Sequence, residues 1–202
     1  MFKLICVTAR DLCQEDFLQR IEKLACSRVD EIILREKDLD ETAYRALADK
    51  VLPLCRRGGV PCTLHTYPRA AENLGLNRLH MPLPLLMEQP ELRSEFDVLG
   101  TSVHSLEQAR SAQELGVDYV TAGHIFPTDC KKGLPPRGPQ WLREICRAFN
   151  GPVYAIGGID EGNILSVRQA GASGACIMSG LMACEDVRAK VTALRASAGI
   201  DG

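Results

Sequence analysis

Short apolar runs alternate with amphipathic runs about eight times along the chain. Residues 3–8, 31–35, 61–65, 78–81, 97–103, 118–122, 152–156 and 175–178 read as strands. Residues 16–27, 40–57, 105–115, 139–149, 161–170 and 181–197 carry helical spacing, and 68–74 forms a shorter helical stretch. Ser105 followed three residues on by Gln108 is a capping-box pattern. Residues 83–96, interrupted by Pro84 and Pro90, fit neither period. The strands are almost continuously apolar, as parallel strands buried on both faces are. Strands that alternate with helices give an α/β fold with a helix-covered parallel sheet. Eight units in this length predict a single-domain (β/α)8 TIM barrel spanning 1–202, shorter than the usual ~250 residues. An open doubly wound sheet is the alternative, but no G-x-G-x-x-G follows the first strand.

Composition removes several function classes. A formal net charge of −2 provides no excess of basic residues for nucleic acid or an anionic membrane surface. No apolar run approaches the ~20 residues of a membrane span. The first eight residues lack the long apolar core and cleavage site of a signal peptide. The nine cysteines are odd in number and include no C-x-x-C pair. That pattern predicts reduced, mostly buried thiols in a cytoplasmic protein.

In a barrel of this type, chemistry gathers at the C-terminal ends of the strands. Those ends carry Arg35-Glu36-Lys37, His65-Thr66, Ser102 to His104, His124, Gly157-Gly158 and Met178-Ser179-Gly180. The residues from Gly123 to Gly138 hold one imidazole, one carboxylate, one thiol and three cations. A loop that long inside a compact domain is usually functional or disordered. His124 at its base is the candidate acid/base, because imidazole titrates near neutrality. A hydrogen-bonded structural histidine is the other reading. Gly157, Gly158, Met178, Ser179 and Gly180 end strands seven and eight, where barrels often bind phosphate through backbone N–H groups. The same glycines would also serve for tight turns alone. Arg35 and Lys37 can hold an anion, with Glu36 orienting them, or form a surface ion pair. Lys131 and Lys132 either touch the ligand or form a solvated loop tip. His65, His104 and His124 raise a three-histidine metal site, but no carboxylate lies close to complete it, so no metal is expected. His80 reads as packing.

Taken together, these residues resemble the thiamine-phosphate-synthase superfamily of (β/α)8 barrels over essentially the whole chain. The resemblance rests on Leu34-Arg35-Glu36-Lys37-Asp38, Gly100-Thr101-Ser102-Val103-His104-Ser105, Ala155-Ile156-Gly157-Gly158-Ile159 and Met178-Ser179-Gly180. The segment from Gly123 to Gly133, closing with Arg137-Gly138, resembles the thiazole tautomerase (TenI) branch more specifically. Synthases usually carry Asn-Asp after strand three and Asp after strand four, for Mg²⁺ and pyrophosphate, and Gln two residues before the strand-two Arg. Here those places read His65-Thr66, Met81-Pro82-Leu83 and Ile33. The tautomerase resemblance implies an isomerase of thiamine biosynthesis that aromatises a dihydrothiazole carboxylate phosphate to carboxythiazole phosphate. It implies His124 as proton shuttle, no cofactor, and a thiazole phosphate as the small-molecule partner. Arg35, Lys37, Ser102, His104, Thr128, Lys131 and Lys132 would then bind substrate, and a homodimer is the analogous assembly. The alternatives are a thiamine-phosphate synthase and a non-catalytic thiazole- or thiamine-phosphate-binding regulator.

Overall fold

The computed structural model describes residues 1–131 and 133–200. Eight parallel strands close into a barrel in sequence order. They are β1 (Lys3–Val7), β2 (Glu31–Leu34), β3 (Cys62–His65), β4 (Arg78–Pro82), β5 (Val98–Val103), β6 (Tyr119–Gly123), β7 (Val153–Ile156) and β8 (Gly174–Ile177). β8 pairs back onto β1 through Leu4 and Ala175, which closes the ring. All eight strands expected from the apolar runs are present.

The helices are α1 (Phe17–Ala25), α2 (Glu41–Gly58), α3 (Pro68–Asn73), α4 (Leu83–Met87), α5 (Leu92–Glu95), α6 (Leu106–Glu114), α7 (Gly138–Ala148), α8 (Ile164–Gln169), α9 (Ser179–Met182) and α10 (Val187–Ala198). The starts of α1, α2, α6 and α10 follow from side chains that satisfy the orphan amides of a first turn. Asp16, Asp40, Ser105 and Asp186 accept from the backbone N–H groups of Gln19, Ala43, Gln108 and Ala189. The unassigned stretch 83–96 resolves into α4 and α5, two short helices started and separated by its prolines. The single helix expected over 181–197 is two helices, α9 and α10. The one expected over 161–170 begins only at Ile164, because Asp160 and Asn163 form a turn first. No helix among the described residues is long and apolar enough to cross a membrane.

Two apolar layers follow from strand alternation. Outward side chains such as Leu4, Ile32, Leu64, Leu79 and Val120 pack under the helices. Inward ones, Ile5, Val7, Ile33, Tyr119, Tyr154 and Cys176, fill the barrel. Its N-terminal end is plugged by polar groups: Arg78 Nη2 meets Glu31 Oε1 at 2.9 Å, and the Thr63 hydroxyl donates to the same oxygen. The opposite end is left open. All nine cysteines are free, yet only Cys6, Cys55, Cys62 and Cys176 are buried. The expectation of mostly buried thiols is corrected accordingly: Cys26 caps α1 at the surface and Cys130 lies on the exposed loop after β6.

Candidate active site

The open end of the barrel holds a cavity of about 390 Å³. Arg35, Lys37, Ser102, His104, His124, Thr128, Lys131, Gly157, Gly158, Met178, Ser179 and Gly180 all line it. Lys132 lies outside the described residues. The chain has four histidines, and all of them border this one space. Strand order fixes what faces what. In a closed ring of eight, β2 stands opposite β6, β3 opposite β7 and β4 opposite β8. Arg35 at the end of β2 therefore faces His124 at the end of β6.

The loop after β6 is pinned to β7 by close backbone packing. Ile125 N donates to Ile156 O and Phe126 N to Gly157 O, each at 3.0 Å. On its return, Arg137 N donates to His124 O (3.1 Å). A Cβ on Gly157 would lie 2.3 Å from His124 Cβ, and one on Gly158 would lie 2.3 Å from Pro127 O. Both glycines also adopt positive φ, +101° and +66°. They are glycines first because the His124 loop lies on them. The amides of Gly158 and Ile159 donate to no carbonyl among the described residues, and those of Ser179 and Gly180 open α9, where no intrahelical acceptor exists. These N–H groups form a wall suited to an anion.

His124 is half-buried, and its Nε2 lies 3.3 Å from Leu134 O across the loop. His104 supports it from behind. Its Nδ1–H donates to Gly123 O (2.8 Å), the carbonyl of the peptide that leads into His124. The capping-box Gln108 reaches one residue further back than the pattern expects, accepting from His104 N at 2.7 Å.

The opposite wall is cationic. Arg35 and Lys37 have no carboxylate within ion-pair distance among the described residues. Glu36 does not orient them, contrary to the expectation from sequence. Its buried carboxylate accepts from the Thr8 hydroxyl (2.6 Å) and the Arg10 amide (3.1 Å), tying β2 to the loop after β1. Burial raises the Glu36 pKa despite those donors. The nearby Arg35 charge, with burial and Lys131, lowers that of Lys37. Three cations thus line the cavity, and no carboxylate among the described residues lines it with them.

The floor beside them is made of imidazoles and hydroxyls. The rings of His65 and His80 stack with centroids 5.1 Å apart. His65 is held by Tyr44, whose hydroxyl accepts from His65 N (2.8 Å) and donates to Leu34 O (2.6 Å). Burial pushes the His80 pKa down to about 3, with the Arg35 charge adding to it. Burial first, then the neighbouring His80 imidazole and the charges of Arg35 and Lys37, hold His65 low as well. Both imidazoles are neutral near pH 7. His80 is buried, as packing would require, and it also lines the cavity; sequence reasoning missed that second role.

The thiamine monophosphate synthase family model (TMP-TENI) matches residues 4–181. The chain belongs to this family. The thiamine-phosphate synthase of Thermus thermophilus is 35% identical over 182 residues, 90% of this chain and 88% of the relative. That of Syntrophomonas wolfei is 30% identical over 199 residues, 96% and 95% of the two chains. Among solved structures, the thiamine phosphate pyrophosphorylase from Pyrococcus furiosus superposes with a TM-score of 0.85 at 26% identity, covering 100% of this chain and 98% of that one. Family membership places the chain among enzymes of thiamine biosynthesis. The relatives named here are synthases, and the tautomerase branch is a finer question.

Proposed function

We propose that this family member is a thiazole tautomerase, an isomerase that aromatises a dihydrothiazole carboxylate phosphate by a proton shift. One observation carries the reading: the cavity places an imidazole opposite unbalanced cations, and no carboxylate among the described residues lines it. A phosphate would sit against the amides of Gly157, Gly158, Ser179 and Gly180 with Met178 beside them. The ring would cross the barrel, its carboxylate toward Arg35 and Lys37, under the loop carrying Thr128 and Lys131. Ser102 and His104 border the ring.

His124 then carries the chemistry. Its free imidazole nitrogen takes the hydrogen from ring C2, alpha to the carboxylate, leaving an electron pair delocalised into the exocyclic alkene. The imidazolium returns a proton to the exocyclic carbon, and the ring becomes aromatic. Atoms and charge balance with no cofactor. A positioned acid/base of this kind contributes typically 10²–10⁴-fold.

The synthase reading has the names of the relatives in its favour. It also requires Mg²⁺, a hard ion that binds oxygen ligands, chiefly carboxylates and phosphates. The residues present do not fit that ion. The cavity offers imidazoles, amides, hydroxyls and cations, and Glu36, in a smaller adjoining recess, has both oxygens taken by Thr8 and Arg10.

The test is aromatisation followed by ultraviolet absorbance, wild type against His124→Ala. Loss of turnover by 10²-fold or more in the variant supports the assignment. Undiminished turnover removes His124 from the mechanism. Mg²⁺-dependent coupling of pyrimidine pyrophosphate to thiazole phosphate by the wild type would establish the synthase. Tight binding of carboxythiazole phosphate with neither activity would establish a regulator.

A further inference from the structure

Under the cavity runs a hydrogen-bonded row with a defined direction. Strand register builds it: His80 on β4 pairs with Gly100 on β5, which pairs with Tyr119 on β6. One step up, Ser102 on β5 pairs with Thr121 on β6. The ring of Tyr119 crosses Gly100, where a Cβ would lie 2.0 Å from the ring, and its hydroxyl reaches His80 Nδ1 at 3.0 Å. His80 Nε2 lies 2.9 Å from Ser102 Oγ, and Ser102 Oγ lies 2.9 Å from Thr121 Oγ1.

The proton positions follow from satisfying each group. Tyr119 is fully buried, and burial keeps it a protonated phenol. Among the described residues its hydroxyl has one acceptor, His80 Nδ1, so the phenol donates there. His80 is neutral and therefore carries its single N–H on Nε2, which donates to Ser102 Oγ. Ser102 and Thr121 then share one hydrogen bond between two hydroxyl protons. Whichever of them donates, one O–H is left over, and both residues line the cavity.

We propose that the Ser102–Thr121 hydroxyl pair, set in polarity by His80 and Tyr119, donates a hydrogen bond to the ring nitrogen of the bound heteroaromatic phosphate. Ser102 and Thr121 touch the ligand; His80 and Tyr119 position them. The pair selects a ring with an uncharged lone-pair acceptor and disfavours an isosteric ring that lacks one. The proposal rests on the thiazole phosphate reading above and names the atom that reading leaves unassigned.

Calorimetric titration of wild type with carboxythiazole phosphate and with its thiophene isostere, in which C–H replaces the ring nitrogen, tests it without turnover. Wild type is expected to prefer the thiazole by about fivefold to tenfold, the value of one neutral hydrogen bond. The Ser102→Ala/Thr121→Val double variant should bind both ligands alike, with thiophene affinity within about twofold of wild type, which also shows that it folds. His80→Gln, whose amide can accept from Tyr119 and donate to Ser102, should keep the preference, and His80→Leu should lose it. Equal binding of the two ligands by wild type, or a preference that survives in the double variant, overturns the proposal and leaves the tautomerase reading standing. A preference retained by His80→Leu overturns the positioning role of His80. Failure of carboxythiazole phosphate to bind wild type overturns the thiazole reading and this one with it.

Discussion

The neutral, buried His80 makes the fold sensitive to acid in a way that can be worked out in advance. Its imidazole titrates near 3 in the folded barrel and near 6.5 in the unfolded chain. Between those values the unfolded state binds a proton that the folded state refuses, so stability falls as pH falls from about 6.5 toward 3. At pH 5 the unfolded imidazole is about 1.5 units below its pKa, and each unit is worth about 1.4 kcal/mol. The fold therefore loses about 2 kcal/mol at this one residue between pH 7 and pH 5. The figure does not depend on the folded value so long as that stays well below 5. His65 acts with the same sign, and Glu36, whose pKa is raised, acts with the opposite sign. Glu36 is unchanged in a His80→Gln variant and cancels in a comparison, and His65, which keeps its burial and the charges of Arg35 and Lys37 there, cancels in large part. Urea unfolding followed by circular dichroism at pH 7 and pH 5, on wild type and His80→Gln, gives the double difference. Wild type should lose about 2 kcal/mol more than the variant. Equal losses would mean that His80 takes up its proton in the folded state, and the hydrogen-bond direction assigned to Tyr119–His80–Ser102 would fall.

Other perturbations test separate parts of the site. Gly100→Ala puts a Cβ 2.0 Å from the Tyr119 ring; overpacking of this kind costs about 1–3 kcal/mol, measured as a lowered urea midpoint. Gly157→Ala meets His124 Cβ at 2.3 Å with φ at +101°, so turnover should fall at least tenfold, read by the absorbance assay, while far-ultraviolet circular dichroism keeps its helical shape. Arg35→Ala removes a cavity-lining cation that forms no ion pair among the described residues; a charged hydrogen bond is worth about 1.5–3 kcal/mol, so carboxythiazole phosphate should bind about ten- to a hundredfold more weakly by calorimetry.

Much of this was legible from periodicity and strand ends. Apolar runs gave all eight strands because a parallel strand buried on both faces has few ways to be anything else. The end of each strand then pointed to the cavity wall, since barrel geometry sends every C-terminal strand end to one rim. What stayed hidden depended on register between strands distant in sequence. Gly100 lies inside a strand, a position that commonly marks a close approach, yet nothing local says that a tyrosine nineteen residues on will lie over it to meet a histidine twenty residues back. Glu36 was misread for a related reason. Just past β2, its carboxylate bonds to Thr8 and Arg10 on the neighbouring loop instead of to Arg35 and Lys37. The short helices α4, α5 and α9 were missed or merged because segments this brief carry too few turns for a period to show.

The electrostatics of the cavity link these parts. Arg35, Lys37 and Lys131 stand without a carboxylate in the wall among the described residues, a costly arrangement that a dianionic ligand would relieve. Burial first, then the Arg35 charge, lowers the pKa values of His65 and His80, with Lys37 adding at His65, and Arg35, burial and Lys131 lower that of Lys37. Neutral imidazoles are what the floor needs, because an imidazolium at His80 would donate from both nitrogens and leave the Tyr119 hydroxyl without an acceptor. A carboxylate added to the wall, as a Mg²⁺ site would demand, would weaken the hold on an anion and draw protons onto His65 and His80 together. The absence of carboxylates from this wall among the described residues and the hydrogen-bonded histidines beneath it thus belong to one electrostatic arrangement.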